Sequence, residues 1–189
     1  DPMRYKLDGE WETLEARDLD VDVKVFGFFN WTSTQVGLRS VHGPVLRTDH
    51  GTYAIRYAGM NELRQVEQWL AMNKAQTFED WRDALRMQAF ASFNFVYADR
   101  EGNTMFVHNS LTPNRVAGYD WTQYLPGDDS SLIWDSYMPF DDLPQVINPK
   151  SGYIHSANQS PFRVTAESDN PIKANYRIED GFPTRMTNR

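Results

Sequence analysis

Apolar and charged residues alternate without a break through Leu19, Asp20, Val21, Asp22, Val23, Lys24 and Val25. A period of two sends successive side chains to opposite faces, so this run predicts a β-strand with one wet face. The turn residues Asp8, Gly9 and Glu10 separate residues 5–7 from 11–14 and predict a hairpin. Asp49, His50 and Gly51 separate residues 41–48 from 52–57 and predict a second one. The period then lengthens. Leu63, Val66, Trp69, Leu70 and Met72 recur at helical spacing over residues 61–73, with Asn61 placed as N-cap. Thr77 and Asp80 stand three apart as a capping-box pair opening a helix over 77–90. Phe78, Trp81, Ala84, Leu85 and Ala89 form one stripe on that helix, which requires a flat partner such as a sheet.

Strand patterning returns at residues 93–98 and 104–108, joined by the loop Asp99-Arg100-Glu101-Gly102-Asn103. Residues 112–152 contain Pro113, Pro126, Pro139, Pro144 and Pro149 among many aromatics and predict a long ordered connection. A short strand is expected at 152–156, and the polar stretch 167–189 carries no clear period. Strands and helices are segregated along the chain rather than alternating. The fold class is therefore α+β, with antiparallel sheets and helices packed on them.

The chain has 189 residues, enough for one domain with a real core. Aromatic residues are 14% of it, which excludes a disordered polymer. The net charge of −7 and the absence of any Lys/Arg run argue against nucleic acid as a partner, since phosphate binding needs clustered cations. No apolar stretch approaches the ~18 residues of a membrane-spanning helix, so no membrane partner is expected. With no cysteine, the chain has neither disulfides nor a thiol nucleophile.

The four histidines lack short-range metal spacing. Ser40 and His42 would share one strand face as a nucleophile–base pair, but no nucleophile-elbow motif surrounds Ser40, and a strand hydroxyl is the better reading. Asp128-Asp129, Asp141-Asp142 and Glu179-Asp180 are read as solvated loop charges rather than a catalytic carboxylate pair. Asn30-Trp31-Thr32 and Asn158-Gln159-Ser160 match the glycosylation pattern, although their aromatic surroundings suggest burial.

A series of segments goes further. Val41-His42-Gly43-Pro44-Val45 comes first, followed by Asn94-Phe95-Val96-Tyr97-Ala98-Asp99-Arg100-Glu101-Gly102-Asn103. Pro113-Asn114-Arg115, Leu125-Pro126-Gly127 and Met138-Pro139-Phe140-Asp141-Asp142-Leu143-Pro144 come next. Asn148-Pro149-Lys150-Ser151-Gly152-Tyr153-Ile154 and Ser156-Ala157-Asn158-Gln159-Ser160-Pro161 close the series. In that order the segments resemble the penicillin acylase family of amidohydrolases. The His-Gly-Pro-Val form and the Arg185-Met186-Thr187-Asn188-Arg189 ending look more like its acyl-homoserine-lactone acylase branch.

The resemblance implies an N-terminal-nucleophile hydrolase, with two antiparallel sheets between helix layers in an αββα sandwich. Its nucleophile would be a serine freed by self-cleavage at the start of the large subunit, with its own α-amino group as base. Residues 1–189 are then expected to be a single internal fragment of the large subunit, without the nucleophile region and the small subunit, and inactive alone. Asp1-Pro2-Met3-Arg4 reads as an excised start. Asn158 aligns with the family's oxyanion-hole asparagine and Arg185 with an active-site arginine. Asp169 matches a carboxylate that binds structural calcium, a metal expected in the full-length parent and not in this stretch. The implied partners are an N-acyl amide substrate (an acyl-homoserine lactone or a β-lactam), the small subunit and the rest of the large subunit. The implied location is periplasmic or secreted. Edge strands stripped of neighbours are expected to favour self-association. The aromatics of residues 119–140 are read as core and pocket wall, and the alternative from another class is a non-catalytic binding module whose aromatic groove holds a peptide or glycan.

Overall fold

The computed structural model describes residues 1–183, which form two compact units. The first comprises Asp1–Tyr57 and Gln123–Ile133, the second Ala58–Thr122 and the chain from Trp134.

In the first unit, β1 (Arg4–Leu7) and β2 (Glu10–Thr13) make a two-stranded antiparallel ribbon. Asp8 and Gly9 both have positive φ, the conformation such a two-residue hairpin turn demands. A four-stranded antiparallel sheet follows in the order β3 (Glu15–Val25), β4 (Phe29–Ser40), β5 (Gly43–Thr48), β6 (Gly51–Ala54). Strand β4, which the polar-rich run 30–37 does not announce, pairs with β3 over its whole length, from Glu15 opposite Arg39 to Val25 opposite Phe29. The alternation in β3 sorts its side chains as expected. Asp20 and Asp22 accept hydrogen bonds from Thr34 and Thr32 at 2.7 Å on one face, while Leu19, Val21 and Val23 share the other. That second face is not buried: Leu19, Val21, Val23, Phe29 and Trp31 are all exposed.

In the second unit, α1 (Gln65–Lys74) and α2 (Phe78–Leu85) lie beside a three-stranded sheet in the order β7 (Ser92–Ala98), β8 (Thr104–Ser110), β9 (Gln145–Ile147). All its pairings are antiparallel. Trp81 and Leu85 of α2 pack on Phe95, Met105 and Val107, so the stripe on this helix meets a sheet face as its spacing requires. Phe106, facing the other way, packs with Val146, Val164 and Ile154. Residues 105–110 of β8 are consequently buried throughout, covered by helices on one face and by irregular chain on the other.

Helix α2 begins as its sequence dictates. The Thr77 hydroxyl accepts from Asp80 N at 3.1 Å and the Asp80 carboxylate accepts from Thr77 N at 3.0 Å, satisfying two orphan donors of the first turn. It ends at Leu85 rather than continuing to 90. Helix α1 departs more. It starts at Gln65, with Arg64 rather than Asn61 at the N-cap, because Glu62 first folds back to accept from Arg64 N at 2.8 Å. Of the positions that suggested its apolar face, Met72 packs on the core and Trp69 meets the rings of Phe90 and Phe95, but Leu63 and Val66 are turned outward, 86% and 80% exposed. What α1 buries instead is Gln68, at 0% exposure. The expected strand at 152–156 does not form, because the free edge of β8 is taken by β9, within the stretch expected to be a loop.

Gln68 accepts from Ala89 N at 2.6 Å and donates to Asn109 Oδ1 at 3.1 Å, while Asn109 donates to Leu85 O at 2.9 Å. Gln68→Leu leaves a buried N–H and a buried carbonyl oxygen unpaired and should cost about 2–3 kcal/mol. Thr77→Ala, at a cap that water can reach, should cost only about 1 kcal/mol. Urea unfolding of both variants checks the order, and an equal or reversed order contradicts this account of the unit's core.

Candidate functional site

The segment around Asn158 is irregular, so its shape depends on what its backbone groups bond to. It is pinned at both ends. Ile154 and Val164 enter the small core around Phe106, and His155 N donates to Val164 O at 2.9 Å. Between these anchors the chain turns at Asn158, whose φ of 58° lies in the left-handed region that asparagine tolerates better than most residues. The flanking residues hold the turn. Gln159, 3% exposed, donates to His155 O at 2.9 Å and accepts from Ala157 N across its apex. Ser160 and Pro161 are fully buried beside it. Asn158 itself is exposed, at the apex of a turn whose neighbours are hydrogen-bonded or buried.

Ala157 and Gln159 line, on either side of Asn158, a cavity of about 760 Å³ that extends to Asn170 and Lys173. Its far wall is tied together by Asn170. That side chain accepts from Val164 N at 2.7 Å and Thr165 N at 3.2 Å and donates to Thr165 O and Ala166 O, each at 3.1 Å. A single asparagine thus satisfies four backbone groups of a segment with no ladder of its own.

Asp169, next to Asn170 in sequence, is half-buried. Its Oδ2 accepts from Ser151 N at 2.8 Å, and this bond is the main reason its carboxyl titrates below the usual carboxylate range. The residue ties the two arms of the loop together. Calcium takes roughly six to eight oxygen ligands. Among the described residues no group of three or more His, Cys, Asp or Glu is placed to hold a metal ion. Arg185 lies outside the described residues.

Ser40 and His42 are not a nucleophile–base pair. The Ser40 hydroxyl accepts from His42 N at 3.2 Å and donates to Gly43 O, while His42 Nε2 faces Gly127 O at 3.0 Å. A ring nitrogen against a carbonyl must carry its proton, so Nε2 is a donor and no base. Both sequon asparagines, Asn30 and Asn158, are exposed rather than buried. The acidic pairs also resolve into local structure. Asp141 meets Arg86 at 2.9 Å and Arg82 at 3.5 Å, and Asp180 meets Arg177 at 3.1 Å.

The structure also assembles a cluster that spacing could not show. His108 Nδ1 is 2.7 Å from Asn94 Oδ1, and its Nε2 is 3.4 Å from Ser92 Oγ. Asn94 and His108 are directly opposite across β7 and β8, fourteen residues apart in sequence, which places the cluster outside any local motif. With Asn94 accepting, the ring proton sits on Nδ1 and Nε2 is left as an acceptor. Burial pushes the His108 pKa down to about 4, so the ring stays neutral at physiological pH.

Comparison with known proteins places these features. The penicillin amidase family model matches residues 1–186. Penicillin G acylase of Escherichia coli is 33% identical over 172 residues, which cover 89% of this chain and 20% of that protein. The acyl-homoserine lactone acylase PvdQ of Pseudomonas fluorescens is 30% identical over 225 residues, covering 98% of this chain and 29% of that protein. Among solved structures, thermostable penicillin G acylase from Alcaligenes faecalis superposes with a TM-score of 0.72 at 27% identity, over 90% of this chain and 31% of that one. The chain therefore spans between a fifth and a third of the length of these relatives.

His108 sets a pH dependence. Its folded pKa is depressed, so below its unfolded value of 6.5 the unfolded chain takes up a proton that the folded imidazole refuses until about pH 4. Stability should be full above pH 6.5 and fall through the window from 6.5 to 4, by on the order of 2–3 kcal/mol from this residue. His108→Gln should flatten that part of the profile. Urea midpoints measured against pH check this, and parallel profiles for the two proteins would rule it out.

Proposed function

Because this chain belongs to the penicillin amidase family, we propose that the protein containing it is an amidohydrolase that cleaves the bond between an acyl chain and an amine. Its substrates would be small N-acyl amides of the acyl-homoserine lactone or β-lactam kind. Both classes of named relative match, which supports the amide and the acyl chain as the shared requirement and leaves the amine to the rest of the parent protein.

In this reading Asn158 is the residue of this chain that touches the reaction. Its side-chain N–H donates to the oxyanion that forms when the amide carbonyl is attacked. The observation that carries the assignment is the turn itself: the backbone at Asn158, exposed and at positive φ, is set by neighbours that are hydrogen-bonded or buried, which supports a donor positioned before substrate arrives. Preorganisation of that kind lowers the barrier because no reorganisation is required as charge develops. The nucleophile is assigned to another part of the parent polypeptide. Ser40, the serine that the sequence places beside a histidine, donates to a backbone carbonyl instead, which agrees with that assignment. The 189-residue chain alone is then expected to bind no oxyanion productively and to show no amidase activity.

The binding-module alternative is not favoured. Trp121 and Trp134 pack against each other at 5.8 Å, and the Arg115 guanidinium lies over both rings at 5.3 and 5.6 Å. These rings are engaged with each other and with a cation rather than lining an open groove.

The test is the full-length parent with Asn158→Ala, assayed on an acyl p-nitroanilide and on an N-acyl-homoserine lactone. Loss of one oxyanion donor should lower kcat by about 10²–10³ while KM changes little. An unchanged kcat in a folded variant would remove Asn158 from the reaction.

A further inference from the structure

A second cavity, of about 560 Å³, lies within the first unit between the β1–β2 ribbon and one face of β5 and β6. Arg4, Tyr5 and Lys6 of β1 all line it, so both faces of that strand contribute. Arg4 and Lys6 are two apart on β1 and share a face. Val45 and Arg47 are two apart on β5, opposite Ala54 and Thr52 of β6. The two strands therefore deliver three cations to one opening, while Leu14, buried at 6% exposure, joins Val45 and Ala54 as an apolar lining.

The charge of this opening is out of keeping with the molecule. The chain carries a net −7, yet the cavity wall holds Arg4, Lys6 and Arg47 against a single acid, Asp128. Among the described residues none of these three cations is in an ion pair. Arg4 donates to Trp11 O and Arg47 to Pro2 O, which leaves further N–H groups on both guanidiniums. Lys6 and Arg4 lie over the Trp11 ring at 5.5 and 5.4 Å, so the aromatic face steadies the two cations without neutralising them. The walls are anchored. The Tyr5 hydroxyl accepts from Val41 N at 3.2 Å, and His42, 8% exposed, meets Gly127 O at 3.0 Å. Unpaired cations around an apolar lining are what a molecule with an anionic head and a hydrocarbon body requires.

We propose that this cavity binds a small organic anion, its carboxylate held by Arg4, Lys6 and Arg47 and its apolar body resting on Leu14, Val45 and Ala54. The assignment is independent of the amidase reading, since it uses no residue of the Asn158 segment. The test titrates the 189-residue chain with 2-naphthoate by calorimetry, with 2-naphthylmethylamine as the cationic counterpart of similar shape. Amide NMR shifts locate the site. Saturable binding of the anion, at least about tenfold tighter than of the amine, with shifts at Leu14, Val45 and Ala54, is the expected result. Arg4→Gln combined with Arg47→Gln should weaken naphthoate by about tenfold or more. Both side chains are exposed, so the double variant should keep its thermal midpoint, and Arg100→Gln on the second unit serves as a charge control with unchanged affinity. No saturable binding, equal affinity for the amine, shifts confined to the second unit, or an unaffected double variant would each overturn the proposal.

Discussion

Gln68 has no solvent access, and its amide joins α1, the chain beyond α2 and β8. One end takes the N–H of Ala89 beyond α2, and the other reaches Asn109 on β8, which in turn holds the last carbonyl of α2. A buried amide left half-bonded is costly, so the network accepts one arrangement of helices and sheet and penalises shifts in register. The apolar contacts of Trp81, Leu85, Phe95 and Met105 supply the greater part of the driving force. Hydrophobic contact is tolerant of sliding and rotation. The amide pair is not, and it gives the layer its uniqueness.

The same chemistry recurs where the chain has no regular structure. Asn148, itself at positive φ, accepts from Thr104 N at 2.7 Å and closes the end of the β8–β9 pair. Gln88 donates to Ser110 O at 2.9 Å and to Met138 O at 3.1 Å. Asn170 and Gln159 do the corresponding work around Asn158. Side-chain amides carry both donors and acceptors, so each can stand in for a missing rung of a ladder. Such bonds give an irregular loop a defined backbone path, which is the condition for a loop asparagine to act as a positioned donor.

One of the segments that carry the family resemblance has a structural rather than catalytic explanation. In Tyr97-Ala98-Asp99-Arg100-Glu101-Gly102-Asn103, Asp99 accepts from Glu101 N at 3.0 Å, Asn103 N and Asn103 Nδ2 at 2.8 Å each, and the Tyr97 hydroxyl at 3.1 Å. Gly102 supplies the positive φ that closes the turn. These residues make the β7–β8 hairpin and hence place β8. The resemblance was therefore legible through residues that build the scaffold as well as through those assigned to the chemistry.

The sequence alone determined what is settled within a few residues. It contained the Asp8-Gly9 and Asp49-Gly51 hairpins, the cap of Thr77 by Asp80, the two faces of β3 and the turn at Asp99, because the competing conformations differ by local bonds between near neighbours. It also supplied the motif order that marks the family. Tertiary structure decided which face of α1 is buried, where Leu63 and Val66 suggested one answer and Gln68 provides another. It also decided that residues 145–147 and not 152–156 pair with β8, and that Ser92, Asn94 and His108 meet. These outcomes depend on which sheet edge is open and on many weak contacts between residues tens of positions apart. Each such contact is smaller than the local preferences a sequence window reports, and together they outweigh them.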